Sequence, residues 1–351
     1  MATNASTPLA TSAPLGFGRV FTDHVARSDY EPEGGWSPVR IEPYGPLSLD
    51  PAASALHYGQ AVFEGLKAYR GVDGRVRFFR LGDHARRFAR SCDAVCIPTV
   101  DPAHFAEAVR SAVRRDADRV PGDPESSLYI RPFAFATEAF LGVRPANRYA
   151  FLVILSPVGA YYAKGFGPVR IWVEREAVRA APGGLGGVKT AANYAASLRA
   201  AYLAKQRGYD QVLWTDAREH RMLEEVGTMN LFVHLGDRVV TPPAGDTVLP
   251  GITRASVITL LRDRGVEVEE RPISLDEVRA GARDGTLREI FGTGTAAVIS
   301  PVGALGMAEG DLVVGNGEPG PLASSLYREV CAIQRGDADD RHGWTEILEV
   351  G

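Results

Sequence analysis

The sequence predicts an α+β protein built as two domains, and three observations carry that prediction. At 351 residues the chain is long enough for two separate hydrophobic cores. Short alternating apolar runs closed by glycine turns recur in both halves, as hairpins require. Segments with apolar residues at helical spacing also occur in both halves.

The elements follow in order. Residues 1–15 are rich in Ser, Thr, Ala and Pro without a basic residue, which reads as a disordered tail rather than a transit peptide. A first, smaller domain is expected over 16–162. It opens with short strands broken by Gly and Pro, such as Val39–Pro43. The run from Leu56 to Arg70 turns on Gly71-Val-Asp-Gly74 into a second strand, Arg75–Arg80. Asp83 is placed to cap a helix carrying His84, Arg87 and Ser91. Asp101-Pro102 is a cap with proline at the first helical position, and Phe105, Val109, Ala112 and Val113 share one face beyond it. Tyr129–Pro132 and Tyr149–Ser156 read as strands. The glycines and proline of Tyr161–Pro168 suggest a linker, expected over 163–175.

A larger second domain is expected over 176–351. It holds a helix from Lys189 to about Gln206, a strand at Gln211–Thr215 and a hairpin turning on Gly236-Asp237. A helix follows Gly251-Ile-Thr-Arg254, strands surround Ile290 and Val313, and a last helix spans Leu322–Gln334.

Composition narrows the class of function. A formal charge of −4 without long runs offers no electrostatic footprint for nucleic acid or an anionic membrane. No long apolar span or signal segment is visible. Of three cysteines, Cys92 and Cys96 are too close along one helix for a disulfide framework, which predicts a reducing, cytoplasmic setting.

The most unusual stretch runs from Gly183 to Leu198. Glycines at 183, 184, 186 and 187 precede Lys189, and an alanine-rich helix with Tyr194 follows. Such glycines let the backbone approach something closely. A phosphate-binding P-loop needs glycine immediately before its lysine, and Val188 stands there instead. A lysine desolvated on a close-packed turn can act as an amine nucleophile toward an aldehyde. An aldehyde cofactor bearing a phosphate would also need an anion cup. Gly251-Ile252-Thr253 before a helix, and Gly292-Thr-Gly-Thr-Ala296 as a backbone nest, are two candidates, with Arg87 as added charge. A pyridine ring would need a carboxylate, and Glu224-Glu225 precedes a glycine and a strand.

Eight ordered blocks join these pieces. They are Phe63–Tyr69, Tyr129–Pro132, Gly142–Asn147, Ser156–Tyr161, Lys189–Tyr194, Glu225–Asn230, Leu249–Arg254 and Phe291–Ala296. With them the sequence resembles the branched-chain aminotransferases, members of the fold-type-IV pyridoxal-phosphate enzymes with a D-amino-acid-aminotransferase-like fold.

The resemblance implies that Lys189 carries pyridoxal 5'-phosphate and serves as the catalytic base. It implies Glu225 at the pyridine nitrogen and Tyr194 at the ring hydroxyl. Arg87, Ile252, Thr253 and Thr295 would hold the phosphate, with Thr228 beside the cofactor. Tyr58, Phe63, Tyr129, Tyr161, Thr228 and Ala296 would line the substrate side, and Arg131 would meet the distal carboxylate of glutamate or 2-oxoglutarate. The implied reaction moves the amino group of leucine, isoleucine or valine to 2-oxoglutarate by ping-pong kinetics, in a homodimer. Some members have a Cys-x-x-Cys pair after the Gly-Thr-Ala turn. Ala297 and Ser300 stand there here, so no thiol switch is expected at that place. D-amino-acid aminotransferases and aminodeoxychorismate lyases are the rival readings on the same fold.

Overall fold

The computed structural model describes residues 15–159 and 166–349. Tyr161 and all of the expected tail but Leu15 lie outside the described residues. The chain folds into two nine-stranded sheets, each with helices against it.

The first sheet is antiparallel. Ser127–Ala136 and Tyr149–Val158 pair at its centre over ten register positions, from Ser127 with Val158 to Ala136 with Tyr149. Leu66–Arg70 and Val76–Phe79 extend it on one side, and His24–Glu31 on the other. Ala61–Phe63 adds to the Ser127–Ala136 strand, setting Phe63 opposite Phe133. The helices Leu81–Ala94 and Pro102–Arg115 pack on this sheet because each has one apolar face. Phe88 and Cys92 from the first, and Phe105, Val109 and Val113 from the second, join Leu128, Ile130 and Phe151 in one core. Asp101 caps the second helix as expected, accepting from the Ala103 amide at 2.7 Å, with Pro102 at its first position. The first helix starts earlier than the Asp83 cap predicts. It opens at Leu81 behind Arg80, which is left-handed at φ 56°. Asp83 sits in the first turn, where a negative charge is still favoured, and accepts from Arg80 and Arg86.

The second sheet contains a closed ring. Leu223–Val226, Gln211–Thr215, Val169–Val173, Val298–Met307, Leu287–Gly294 and Met229–Leu235 pair in succession, and the last returns to the first. Val169–Val173 falls inside the 163–175 segment expected to be a linker. Its alternation of buried Val169, Ile171 and Val173 with outward Arg170 makes it a strand, paired parallel to two neighbours. Helices Ile252–Asp263 and Pro321–Arg335 pack on the sheet through Val257, Leu261, Leu326 and Val330.

The two sheets are not independent. Tyr69 and Phe79 of the first share a core with Phe232, Phe291 and Leu326 around the second. The strand Thr345–Ile347, in the stretch assigned to the second domain, pairs with Val76–Phe79 at the edge of the first sheet. No helix among the described residues is long and apolar enough to cross a membrane.

Candidate active site

The glycine turn before Lys189 is pressed against the 245–247 loop. A Cβ on Gly186 would lie 2.5 Å from the Asp246 carbonyl oxygen, and one on Gly187 would lie 2.5 Å from that of Gly245. Glycine is required at both by close approach. Lys189 is then fixed from the first sheet's side. Its amide donates to Ser91 Oγ at 3.0 Å, and its carbonyl accepts from the Phe63 amide at 3.0 Å. Thr190 Oγ1 donates to the Ala61 carbonyl, and the helix Ala191–Gln206 begins at once. The lysine backbone therefore cannot drift relative to either sheet.

Its side chain enters a cavity of about 140 Å³ between the sheets. Lys189 Nζ lies 2.6 Å from the Tyr194 hydroxyl and 4.8 Å from the Phe63 ring centre. Among the described residues Lys189 has no ion-pair partner. One wall is aromatic. Tyr129 and Arg131 alternate on one face of their strand, and Arg131 Nη2 donates to the Tyr129 hydroxyl at 2.9 Å. The Arg131 guanidinium also sits 4.6 Å from the Phe63 ring centre, and Phe17 packs edge-on against Tyr129.

The opposite wall is rich in backbone donors. Thr228, Ile252, Thr253, Thr295 and Ala296 all reach the cavity. Ile252 and Thr253 start a helix whose first amides have no intrahelical acceptor, so they and the helix dipole favour an anion. The turn Thr295–Ala297 joins two paired strands, with Gly294 opposite Val298. Among the described residues its three amides donate to no backbone acceptor. Such consecutive free amides form a nest for a second anionic group.

Arg87 reaches the cavity in a way that sequence reasoning does not anticipate. Its Nε and Nη2 donate to Glu64 at 2.7 and 2.8 Å, and Nη1 turns to the Pro250 carbonyl at 3.3 Å. His84 Nδ1 meets the same carboxylate at 2.9 Å. Burial alone would raise the Glu64 pKa, but the Arg87 and His84 contacts outweigh it and hold the carboxyl far below its usual range. Burial lowers the His84 pKa despite that contact. Two of the three Arg87 nitrogens are thus engaged with Glu64, and the third holds the Pro250 carbonyl at the cavity's edge.

Glu225 is buried behind the cavity. Its Oε1 accepts from the Leu249 amide at 2.8 Å and from Asn230 Nδ2 at 3.2 Å, and Arg179 Nε lies 3.1 Å from Oε2. Burial pushes this carboxyl up from its ordinary value, against the opposing pull of Arg179 and the Leu249 amide. The consequence is a stronger base than a surface glutamate. Asn230 also donates to the Leu249 carbonyl, and a Cβ on Gly251 would lie 1.8 Å from its Oδ1. Glu225 is thereby locked to the loop that feeds the anion-binding helix.

Of the residues expected from sequence, the structure brings Lys189, Tyr194, Arg87, Phe63, Tyr129, Arg131, Thr228, Ile252, Thr253, Thr295 and Ala296 around one cavity. Glu225 stands one layer behind it. Tyr58 does not reach the cavity. It is exposed, and its hydroxyl donates to the Leu141 carbonyl. Glu64, His84, Arg179 and Asn230 carry the site's electrostatics and were not predicted. Glu64 and Asn230 lie inside the recognised blocks, but nothing in the spacing reveals their partners.

The sequence profile of the class IV amino-transferases matches residues 61–305. The chain belongs to the class IV aminotransferases. Among similar class IV sequences are branched-chain-amino-acid aminotransferase 2 of Bacillus subtilis (strain 168) and the branched-chain-amino-acid aminotransferase of Mycolicibacterium smegmatis. The first is 49% identical over 98% of this chain and 94% of its own. The second is 46% identical over 95% and 92%. The fold is also that of the Escherichia coli branched-chain amino acid aminotransferase, at 27% identity and a TM-score of 0.76, covering 92% of this chain and all of that one. A T.th. branched-chain amino acid aminotransferase with pyridoxamine 5'-phosphate superposes with a TM-score of 0.77 at 27% identity, over 92% and 98% of the two chains.

The residues present suit a pyridoxal-phosphate cofactor. A lysine amine and a helix N-terminus line the cavity and a buried carboxylate lies behind it, groups that would suit the cofactor's aldehyde, phosphate and ring nitrogen. Arg131 Nε and Thr293 Oγ1 are buried with no hydrogen-bond partner among the described residues, and both residues line the cavity. Buried donors of that kind mark a place where a bound polar group completes the bonding.

Proposed function

We propose that the chain transfers the amino group of L-leucine, L-isoleucine or L-valine to 2-oxoglutarate, giving the branched 2-oxo acid and L-glutamate. One observation supports it most: a single cavity presents Lys189, an aromatic wall and the Arg131 guanidinium together. A branched side chain packs on Phe63 and Tyr129, and the distal carboxylate of the acidic substrate pairs with Arg131. Bound pyridoxal phosphate would supply an electron sink for the bonds at the amino acid's Cα.

The protein's own residues do the rest. Lys189 Nζ takes the proton from Cα of the amino acid in one half-reaction and gives a proton to the carbonyl carbon of the oxo acid in the other. Tyr194, 2.6 Å away, orients that amine. Glu225, fixed by Arg179, Leu249 and Asn230, would keep a proton on the ring nitrogen. The amides of Ile252 and Thr253, with Thr295 and Arg87, would hold the phosphate. Phe63, Tyr129 and Phe17 limit water at the reacting carbon.

A homodimer is part of this reading. Leu56, Tyr58, Leu141 and Val143 form an exposed apolar patch, with Val143 86% exposed, and a second copy would cover it. Three free cysteines suit a cytoplasmic setting.

Lys189→Ala tests the core of the proposal. The purified wild type should show a visible cofactor band that bleaches with L-leucine and returns with 2-oxoglutarate. The variant should show neither change nor turnover. Full turnover in Lys189→Ala would end the reading. A wild-type band that ignores L-leucine but answers a D-amino acid would favour a D-specific relative.

A further inference from the structure

Lys67 is a cation buried almost completely, with 8% of its surface exposed and no carboxylate partner among the described residues. It sits on the strand Leu66–Arg70, directly opposite Tyr129 of the cavity wall. Its Nζ donates across to the second sheet's turn, onto the Ala296 carbonyl at 2.8 Å. Around it stand Cys331 and Arg335 of the last long helix. Burial lowers its pKa to about 8; the Cys331 thiol opposes that shift and Arg335 adds to it. A buried ammonium without a counter-ion is costly, and such groups are kept where they meet a charge.

The turn it grips is strained. Val298, at the end of Thr295–Ala297, has φ 61°. A β-branched side chain rarely adopts that conformation, and it persists only where surrounding contacts enforce it. All three residues of this turn line the cavity, and their amides have no backbone acceptor among the described residues. The Ala296 carbonyl and the Ala297 amide belong to one peptide unit. A cation on the oxygen therefore polarises the N–H on the other side and makes it a stronger donor.

We infer that Lys67 is a positioning residue that holds the Gly294–Val298 turn and relays its charge through the Ala296–Ala297 peptide to a carboxylate in the cavity. That carboxylate is the one next to the reacting carbon, which both substrates share. Arg131 serves the distal carboxylate, which only the acidic substrate carries. The inference deepens the transaminase reading and rests on it for the identity of the anion.

The test uses the pyridoxal-phosphate-loaded protein, wild type, Lys67→Met and Lys67→Arg. Binding is read from the cofactor band with leucine, with 3-methylbutylamine (leucine without its carboxylate) and, from the aminated form, with 2-oxoglutarate. Hydrogen exchange of the segment 291–299 is followed in the cofactor-free protein. Lys67→Met should weaken leucine and 2-oxoglutarate alike, by about 2- to 5-fold, as expected when a polarised amide loses roughly 10–30% of its bond to a charged group. It should leave 3-methylbutylamine unchanged and speed exchange at 291–299, and Lys67→Arg should restore most of both. An equal loss with the amine would reduce Lys67 to a structural residue and overturn the inference, as would unchanged exchange. A wild type that ignores leucine would instead overturn the transaminase reading, with the exchange data still deciding whether Lys67 holds the turn.

Discussion

Glu64→Gln separates the charge balance under the phosphate cup from everything else in the site. Glu64 is fully buried and accepts two bonds from Arg87, one from His84 and one from its neighbour Gly65. The amide side chain keeps the size and removes the charge, leaving the Arg87 cation buried at 5% exposure without a counter-ion. Breaking one half of a buried pair costs about 3–5 kcal/mol. At ~2.1 cal/mol/K per residue, a chain of 351 residues has an unfolding entropy of roughly 0.7 kcal/mol/K. The cofactor-free variant should therefore melt about 4–7 °C below wild type by calorimetry. Phosphate or pyridoxal phosphate supplies a new counter-ion and should narrow that gap. Removing both charges in Glu64→Gln/Arg87→Met should recover much of the loss, because replacing a whole buried pair is far cheaper than halving it. The pH sign is also fixed. The folded-state pKa is depressed, so Glu64 contributes fully above the ordinary carboxyl value and loses that contribution as the pH falls toward the folded value. Glu64's own part of the gap should stay constant between about pH 5 and 7 and shrink only in stronger acid. Loss of its charge also lowers the His84 pKa further, which widens the gap once His84 protonates in the wild type. A cofactor-free variant melting within a degree of wild type at neutral pH would refute the argument, as would a double variant worse than the single.

Two further variants divide the labour within the cavity. Arg131→Gln should weaken 2-oxoglutarate and glutamate by about tenfold or more in half-reactions while leucine changes little, since only the acids offer a partner for the guanidinium. Equal losses would make Arg131 structural, a support for Tyr129 and Phe63. Glu225→Gln should keep the cofactor bound, by absorbance after gel filtration, yet lower kcat by at least about tenfold. Unchanged turnover would remove Glu225 from the electronics of the ring.

The sequence was most legible where cause and effect are close along the chain. Lys189 and Tyr194 are five residues apart at the start of one helix, and the glycine turn before them announces a close approach. The Asp101-Pro102 helix start, the hairpin on Gly236 and the helix start after Gly251 are likewise local signals. What stayed hidden depends on distant partners. Arg87 finds Glu64 across the helix–sheet packing, and Arg179, on the segment after Val169–Val173, finds Glu225 on Leu223–Val226, so no spacing rule connects them. Val169–Val173 is a similar case. Its alternation is clear, but glycine and proline just before it suggest a loop, and only its two parallel neighbours make it a central strand. Tyr58 is a different case: the resemblance puts it on the substrate side, and within this chain its side chain is exposed at the surface.

The strand Thr345–Ile347 ties the order of synthesis to the order of assembly. Val76–Phe79 leaves the ribosome early with one edge unpaired, and its partner is made only after the whole second sheet. Until then the nascent first sheet presents an open edge and an uncovered Phe79, which Trp344 later packs against. The Arg80 amide, just before the helix that carries Arg87, bonds the Trp344 carbonyl at 2.6 Å. The late strand is a latch: a chain stopped short of it would expose a sticky margin to its neighbours, and the start of the helix that carries Arg87 would lack its backbone bond to Trp344.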